Sequence, residues 1–169
     1  MINKAFIFAG GLGTRLRPYT NVTPKPMTIL YDKPILEYTF RWMQIIGISH
    51  ITINTFHLAE KFDILPEIAK NYDIDLKINK QDKLLMHAGD LNMANDFWNT
   101  LDDNENFLAL NGDTIFFVEK DELFKYDNKI NESSPMLLFG FDTETNPLTI
   151  NENKVVGAGK RFYDMSFIH

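Results

Sequence analysis

The chain has 169 residues, 44% of them hydrophobic and 24% charged, which is room for one domain with its own core and an ordinary soluble composition. Cysteine is absent, so disulfides, zinc–thiolate sites and thiol catalysis are excluded. No apolar run approaches the ~20 residues of a membrane span, and the apolar N-terminal stretch is too short for a signal peptide and runs into glycines. A cytoplasmic protein without membrane association is expected.

The net charge of −6 disfavours nucleic acid as a partner. Its distribution is uneven. Residues 1–50 carry six Lys or Arg and two acids, a net of +4, whereas residues 51–169 carry a net of −10. Only four arginines occur in the chain, yet Arg15 and Arg17 share one glycine-rich stretch. A basic loop in an acidic chain reads as a local anion site.

In chain order, Lys4–Ala9 reads as a buried first strand, apolar and rich in Ile and Phe. Residues 10–32 form a long loop containing Pro18, Pro24 and Pro26, and a loop of that length inside a compact domain is usually functional. Pro34 opens a helix that Gly47 stops. Ile51–Asn54 is a strand, and Leu58–Asn71 a helix interrupted at Pro66. Asp75–Asn79 is a strand, residues 89–101 a helix, Phe107–Leu110 a strand, Glu119–Tyr126 a helix and Met136–Phe141 a strand. Beyond residue 142 the pattern weakens to short strands, with a last one in Tyr163–His169. There is no internal repeat or linker, so residues 1–169 are expected to form a single domain. The alternation of strands and helices predicts an α/β fold of three layers, α/β/α, around a mainly parallel sheet. Ligands of such folds bind at the carboxyl ends of the strands, and the loops at 10–32 and 111–114 both follow strand ends.

The stretch Ala9-Gly10-Gly11-Leu12-Gly13-Thr14-Arg15-Leu16-Arg17-Pro18 holds three glycines in four positions. These let the backbone approach a ligand closely and present its N–H groups to phosphate oxygens. Arg15 adds a planar fork and Lys25 a point charge. Two better-known phosphate loops fail. A dinucleotide fingerprint needs glycine where Leu16 stands, and a Walker A loop needs Gly-Lys-Ser/Thr, which is absent.

The order Gly11-Leu12-Gly13-Thr14-Arg15-Leu16, Pro18, then Thr23-Pro24-Lys25-Pro26-Met27, Lys33-Pro34-Ile35 and finally Asn111-Gly112-Asp113 strongly resembles the sugar-1-phosphate nucleotidyltransferases. The branches most similar are the N-acetylmuramate 1-phosphate uridylyltransferases and the mannose-1-phosphate guanylyltransferases. The resemblance implies a Rossmann-like nucleotide-diphospho-sugar transferase fold and a Mg²⁺-dependent reaction of a nucleoside triphosphate, UTP by first expectation, with a sugar 1-phosphate. The products would be a nucleotide-sugar and pyrophosphate. By the same resemblance Ala9, Gly10, Gly11, Gly13 and Thr14 would hold the nucleotide. Arg15 would bind its β- and γ-phosphates, Lys25 the sugar phosphate, and Asp113 the metal. Charge repulsion around one phosphorus needs such fixed cations.

Gln81–Gly89 occupies the position of a second family loop that contacts base and ribose. Leu85, Ala88 and Gly89 match its pattern, while Met86 and His87 replace small residues. Gln81, Ala88 and Gly89 are therefore assigned to nucleotide binding, and His87 either donates to ribose or base or is a surface residue. Asn54 and His57 follow a strand and either line the crevice or, as the first expectation, cap the next helix. The family also has a second metal-binding Asp and a sugar-phosphate Lys in a later segment. Lys160 is the candidate for the lysine, the Asp has no counterpart after residue 142, and the chain reads as short relative to the family. Two alternatives stay open, a phosphocholine cytidylyltransferase and a catalytically silent nucleotide-binding subunit. The oligomeric state is left undetermined.

Overall fold

A computed structural model describes residues 2–103, 105–124, 137–139, 148–151, 154–158 and 166–168. In chain order the strands are β1 (Lys4–Phe8), β2 (Ile29–Leu30), β3 (Lys33–Pro34), β4 (His50–Thr55), β5 (Asp75–Lys80), β6 (Leu108–Asn111), β7 (Leu137–Phe139), β8 (Leu148–Asn151), β9 (Lys154–Ala158) and β10 (Ser166–Ile168). The helices are α1 (Ile35–Ile46), α2 (Leu65–Lys70), α3 (Met86–Asn92), α4 (Asn95–Trp98) and α5 (Lys120–Phe124).

The main sheet has the order β5-β4-β1-β6-β10-β7. β5, β4, β1 and β6 are mutually parallel, while β10 lies antiparallel between β6 and β7. β2 with β3 and β8 with β9 form two separate antiparallel pairs. The central strands β1, β4 and β6 are buried on both faces. In β1, Ala5 and Ile7 join the larger core with Leu36, Phe40, Met43 and Ile46 of α1, Leu65 and Ala69 of α2 and Leu123 of α5. Phe6 and Phe8 point the other way, onto Ala94, Phe97 and Phe107. That smaller core is aromatic: Phe97 sits 5.2 Å from Phe6 and 4.9 Å from Phe107, ring centroid to centroid. Helices on both faces of a mainly parallel sheet are the expected three layers.

α1 forms where expected and for the expected reasons. Pro34 stands at its N-cap, and Gly47 takes the left-handed conformation after its last turn, with φ +88°. Leu36, Thr39, Phe40, Met43 and Ile46 recur at helical spacing and are buried.

Other elements differ from expectation. The long loop carries three 3₁₀ turns, at Thr14–Leu16, Tyr19–Asn21 and Lys25–Met27. The helix expected over 58–71 is a 3₁₀ turn at Ala59–Phe62 followed by α2. Pro66 falls in the first turn of α2, where its missing N–H costs no helical bond, so it begins a helix instead of interrupting one. The helix expected over 89–101 begins at Met86 and is divided into α3 and α4, because Ala94 leaves helical backbone angles at ψ 54°. That break seats Phe97 against Phe6. The strand expected in Tyr163–His169 is β10, which enters the main sheet beside β6. Residues 125, 126, 136, 140 and 141, at the ends of two expected elements, lie outside the described residues.

Phe40 has no solvent exposure and sits at the centre of the larger core. Phe40→Ala is expected to lower the unfolding free energy by about 3–5 kcal/mol, measured as a shift of the urea midpoint.

Candidate functional site

The parallel register aligns four strand ends. Phe8 pairs with Asn54 of β4 and with Asn111 of β6, and Asn54 pairs with Asn79 of β5. The chain therefore leaves the sheet at one edge through Ala9-Gly10, Phe56-His57, Gln81 and Gly112-Asp113. Backbone bonds continue the ladder past the strands: Ala9 N–H donates to Asn54 O at 2.9 Å, Gly112 N–H to Phe8 O at 2.9 Å and Gln81 N–H to Thr55 O at 2.8 Å. Gly112 fits because a Cβ there would stand 3.2 Å from Phe8 O.

The glycine-rich loop is held in shape from below. Gly13 is left-handed at φ +60°, and a Cβ on it would stand 2.8 Å from Thr20 Cγ2. Thr20 is buried and its hydroxyl donates to Gly13 O at 2.8 Å. His57 Nε2 in turn donates to Thr20 O at 2.7 Å. His57 is thus a brace for the backbone of the glycine-rich loop and caps no helix. Thr14 and Arg15 lie in an exposed turn. Among the described residues Arg15 has no hydrogen-bond or ion-pair partner, so its guanidinium is available to an anion.

The third 3₁₀ turn of the loop carries Lys25 back across the sheet edge. Lys25 Nζ stands 2.6 Å from Asp113 Oδ2, with the two side chains 33% and 30% exposed. Residues 88 positions apart, one from the basic loop and one after β6, thereby meet in one ion pair. A pair this open contributes little to stability, about 0–1 kcal/mol, so an incoming phosphate or cation can separate it. Asp113 offers a single open carboxylate. No group of three potential metal ligands occurs among the described residues. Mg²⁺ is often held by one or two carboxylates together with substrate phosphates, so the donor chemistry of Asp113 fits a metal that shares its coordination with a nucleotide.

On the other flank, Asn54 is fully buried and does not cap the following helix, contrary to expectation. Its Nδ2 donates to Gln81 Oε1 at 3.0 Å, and its Oδ1 accepts from Asn79 Nδ2 at 3.2 Å. The chain of amides fixes Gln81 with its nitrogen directed away from Asn54. His87 packs edge-on against Phe8, with ring centroids 4.6 Å apart, which lays the start of α3 over the strand that feeds the glycine loop. Gly89 is partly buried in α3, and Ala88 belongs to the same helix. Lys160 lies outside the described residues.

Asp90 was not singled out by the sequence. It is 5% exposed, and burial pushes its carboxyl above the usual carboxylate range, offset in part by the Gln81 amide, His87 and the Leu85 backbone. Asp90 Oδ1 and Gln81 Nε2 are both buried with no partner elsewhere, and a side-chain hydrogen bond links the Gln81 amide to the Asp90 carboxyl. A buried acid four residues along a helix from Met86 carries no motif of its own, and only its neighbours make it visible. A separate cavity of about 370 Å³, lined by Asp32, Lys33, Glu37, Tyr38, Arg41 and Tyr72, lies between α1 and the residues after α2. Its polar groups are tied to one another, Lys33 and Tyr72 both bonding to Glu37 Oε1 at 2.9 and 2.7 Å.

These strand-end loops and layers define a Rossmann-like nucleotide-diphospho-sugar transferase fold. The solved structure of HddC from Yersinia pseudotuberculosis shares it, with a TM-score of 0.77 at 20% identity, covering 99% of this chain and 76% of that one. The family model described as nucleotidyl transferase matches residues 4–148, and the chain belongs to that family. Among curated relatives, a choline-phosphate cytidylyltransferase of Streptococcus pneumoniae is 43% identical over 76 residues, which is 45% of this chain and 32% of that protein. A D-glycero-alpha-D-manno-heptose 1-phosphate guanylyltransferase of Campylobacter jejuni is 33% identical over 132 residues, 77% of this chain and 54% of that protein. The chain thus spans between a third and about half of these two relatives.

Because the folded pKa of Asp90 is raised, its ionised form weakens the native state above that pKa, and protonation relieves the cost. Asp90→Asn is expected to stabilise the fold near neutral pH. The gain should shrink as pH falls through the raised pKa toward the ordinary Asp value of about 4. Urea midpoints of both proteins across that range provide the check.

Proposed function

We propose that this chain carries the nucleotide-binding and reaction centre of an enzyme that joins a nucleoside triphosphate to a sugar 1-phosphate, releasing pyrophosphate. The observation that carries the reading is the open Lys25–Asp113 pair, which joins the basic loop to the acid after β6. Residues 1–169 act in it as one nucleotidyltransferase domain.

The backbone from Ala9 to Thr14 and the side chain of Arg15 hold the triphosphate, with Arg15 offsetting charge on the departing β- and γ-phosphates. Lys25 leaves Asp113 for the phosphate of the acceptor and steers it toward the α-phosphorus. An oxygen of the sugar phosphate forms the new bond to that phosphorus as the bond to the β-phosphate oxygen breaks, without a covalent enzyme intermediate. Catalysis of this kind is positioning plus charge stabilisation. Asp113 would hold Mg²⁺, which when bound neutralises phosphate charge. Gln81, Ala88 and Gly89 flank the base and ribose, and Lys160 is retained as an acceptor-phosphate ligand. Both substrates are soluble cytoplasmic metabolites, so the reading needs neither nucleic acid nor membrane; among the described residues no helix is long and apolar enough to cross a membrane.

A second acceptor is favoured by one observation, the 43% identity to a choline-phosphate cytidylyltransferase. Phosphocholine presents the same phosphate to Lys25, with CTP as the donor. Pyrophosphate release with Mg²⁺, each of the common triphosphates and either sugar 1-phosphates or phosphocholine separates the two. Nucleotide binding without pyrophosphate from any acceptor would identify a silent subunit instead.

With the productive pair in hand, Arg15→Ala is expected to lower kcat by roughly 10²–10³-fold with an unchanged melting temperature. Lys25→Ala should raise KM for the acceptor more than KM for the triphosphate. Asp113→Ala should remove the response to added Mg²⁺. Near-normal rates in the three variants would place the chemistry elsewhere.

A further inference from the structure

The end of β4 holds the glycine-rich loop at both of its limbs. On the outgoing limb, Ala9 N–H donates to Asn54 O at 2.9 Å. A Cβ on Gly10 would stand 3.3 Å from Phe56 Cβ, so the backbone there lies directly on the continuation of β4. On the returning limb, His57 Nε2 donates to Thr20 O at 2.7 Å. Thr20 is 1% exposed. Its hydroxyl donates to Gly13 O at 2.8 Å, and its methyl group fills the space that a Cβ on Gly13 would need. Gly13 O also accepts from Leu16 N–H at 2.9 Å, which closes the turn carrying Thr14 and Arg15. Between these two holds the loop is open. Gly11 is exposed, and apart from its chain neighbours nothing lies within 4 Å of where its Cβ would be. The consecutive residues Asn54 to His57 thus fix the span of the loop, and His57 is the side chain that fixes its far limb.

We propose that His57 is a positioning residue for the triphosphate: through Thr20 it holds the far limb of the loop, so that the backbone N–H groups from Gly11 to Thr14 and the side chain of Arg15 meet the phosphates already arranged. This rests on the reading that the chain binds a nucleoside triphosphate through that loop. His57 itself touches no phosphate in this assignment. A loop that binds through its backbone loses affinity when it has to be ordered by the ligand, and a hydrogen bond that orders it beforehand removes that cost. Phenylalanine at position 57 keeps a ring and removes the donor, whereas glutamine keeps an N–H donor on a side chain of similar reach.

The test is calorimetric titration with tripolyphosphate, which has no base, and with ATP, CTP, GTP and UTP in Mg²⁺. The proteins compared are wild type, His57→Phe, His57→Gln, Thr20→Val and the double variant His57→Phe/Thr20→Val, at a temperature where each is folded by circular dichroism. His57→Phe should weaken tripolyphosphate and the preferred nucleotide alike by about tenfold, and His57→Gln should recover most of that loss. The double variant should bind about as well as the weaker single variant, because the two side chains act along one line. In turnover, His57→Phe should raise KM for the triphosphate and leave KM for the acceptor unchanged. His57→Leu carries the comparison if His57→Phe does not fold. Wild-type affinity in His57→Phe, a His57→Gln variant as weak as His57→Phe, or single losses that add in full in the double variant would each overturn the assignment while leaving nucleotide binding intact. Wild type that binds none of the four triphosphates would overturn the nucleotide-binding reading itself, and this assignment with it.

Discussion

The parallel pairing of β1 with β4 on one side and β6 on the other is the constraint on which everything else in this molecule depends. It sets Phe8, Asn54 and Asn111 in one register, so three loops far apart in the chain start from one line. A slip of one residue would turn each strand's side chains to the opposite face. Phe6 and Phe8 would then lose the aromatic core they share with Phe97 and Phe107, and Ala5 and Ile7 the aliphatic one. Core packing and site geometry are thus fixed by the same alignment.

Around that edge the protein spends little stability on its charged groups and some on its polar ones. Lys25 and Asp113 are about one-third exposed and hold each other in a weak pair. Gly13, Thr20 and His57 form a stack of hydrogen bonds that shapes the glycine loop without occupying it. The Gln81 amide serves the buried carboxyl of Asp90. An Arg15 without a partner among the described residues, a weakly paired Lys25 and a braced backbone loop suit a ligand that brings several negative charges.

The family assignment and the fold were legible because both rest on local signals. Glycines and prolines at fixed spacing between residues 10 and 34 announce a backbone path, and apolar strands alternating with helices announce a parallel sheet. Pro34 and Gly47 bound α1 as their chemistry requires. Where expectation failed, local signals competed with tertiary ones. Pro66 reads equally as a helix breaker and as a helix start, and only the chain's turn after β4 chooses. The division between α3 and α4 follows from the fit of Phe97 against Phe6, a contact between residues 91 positions apart.

The sequence alone determined the basic, glycine-rich loop, the acid after β6 and the order of layers, since composition and short-range spacing encode them directly. The tertiary structure decided which of these meet. Lys25 reaches Asp113, His57 serves the glycine-rich loop and not a helix, and Asn54 points inward to Gln81. Asp90 became visible only through the Gln81 amide beside it. Such pairings depend on register and on crossing distances between loops, and these exist only once the sheet has closed.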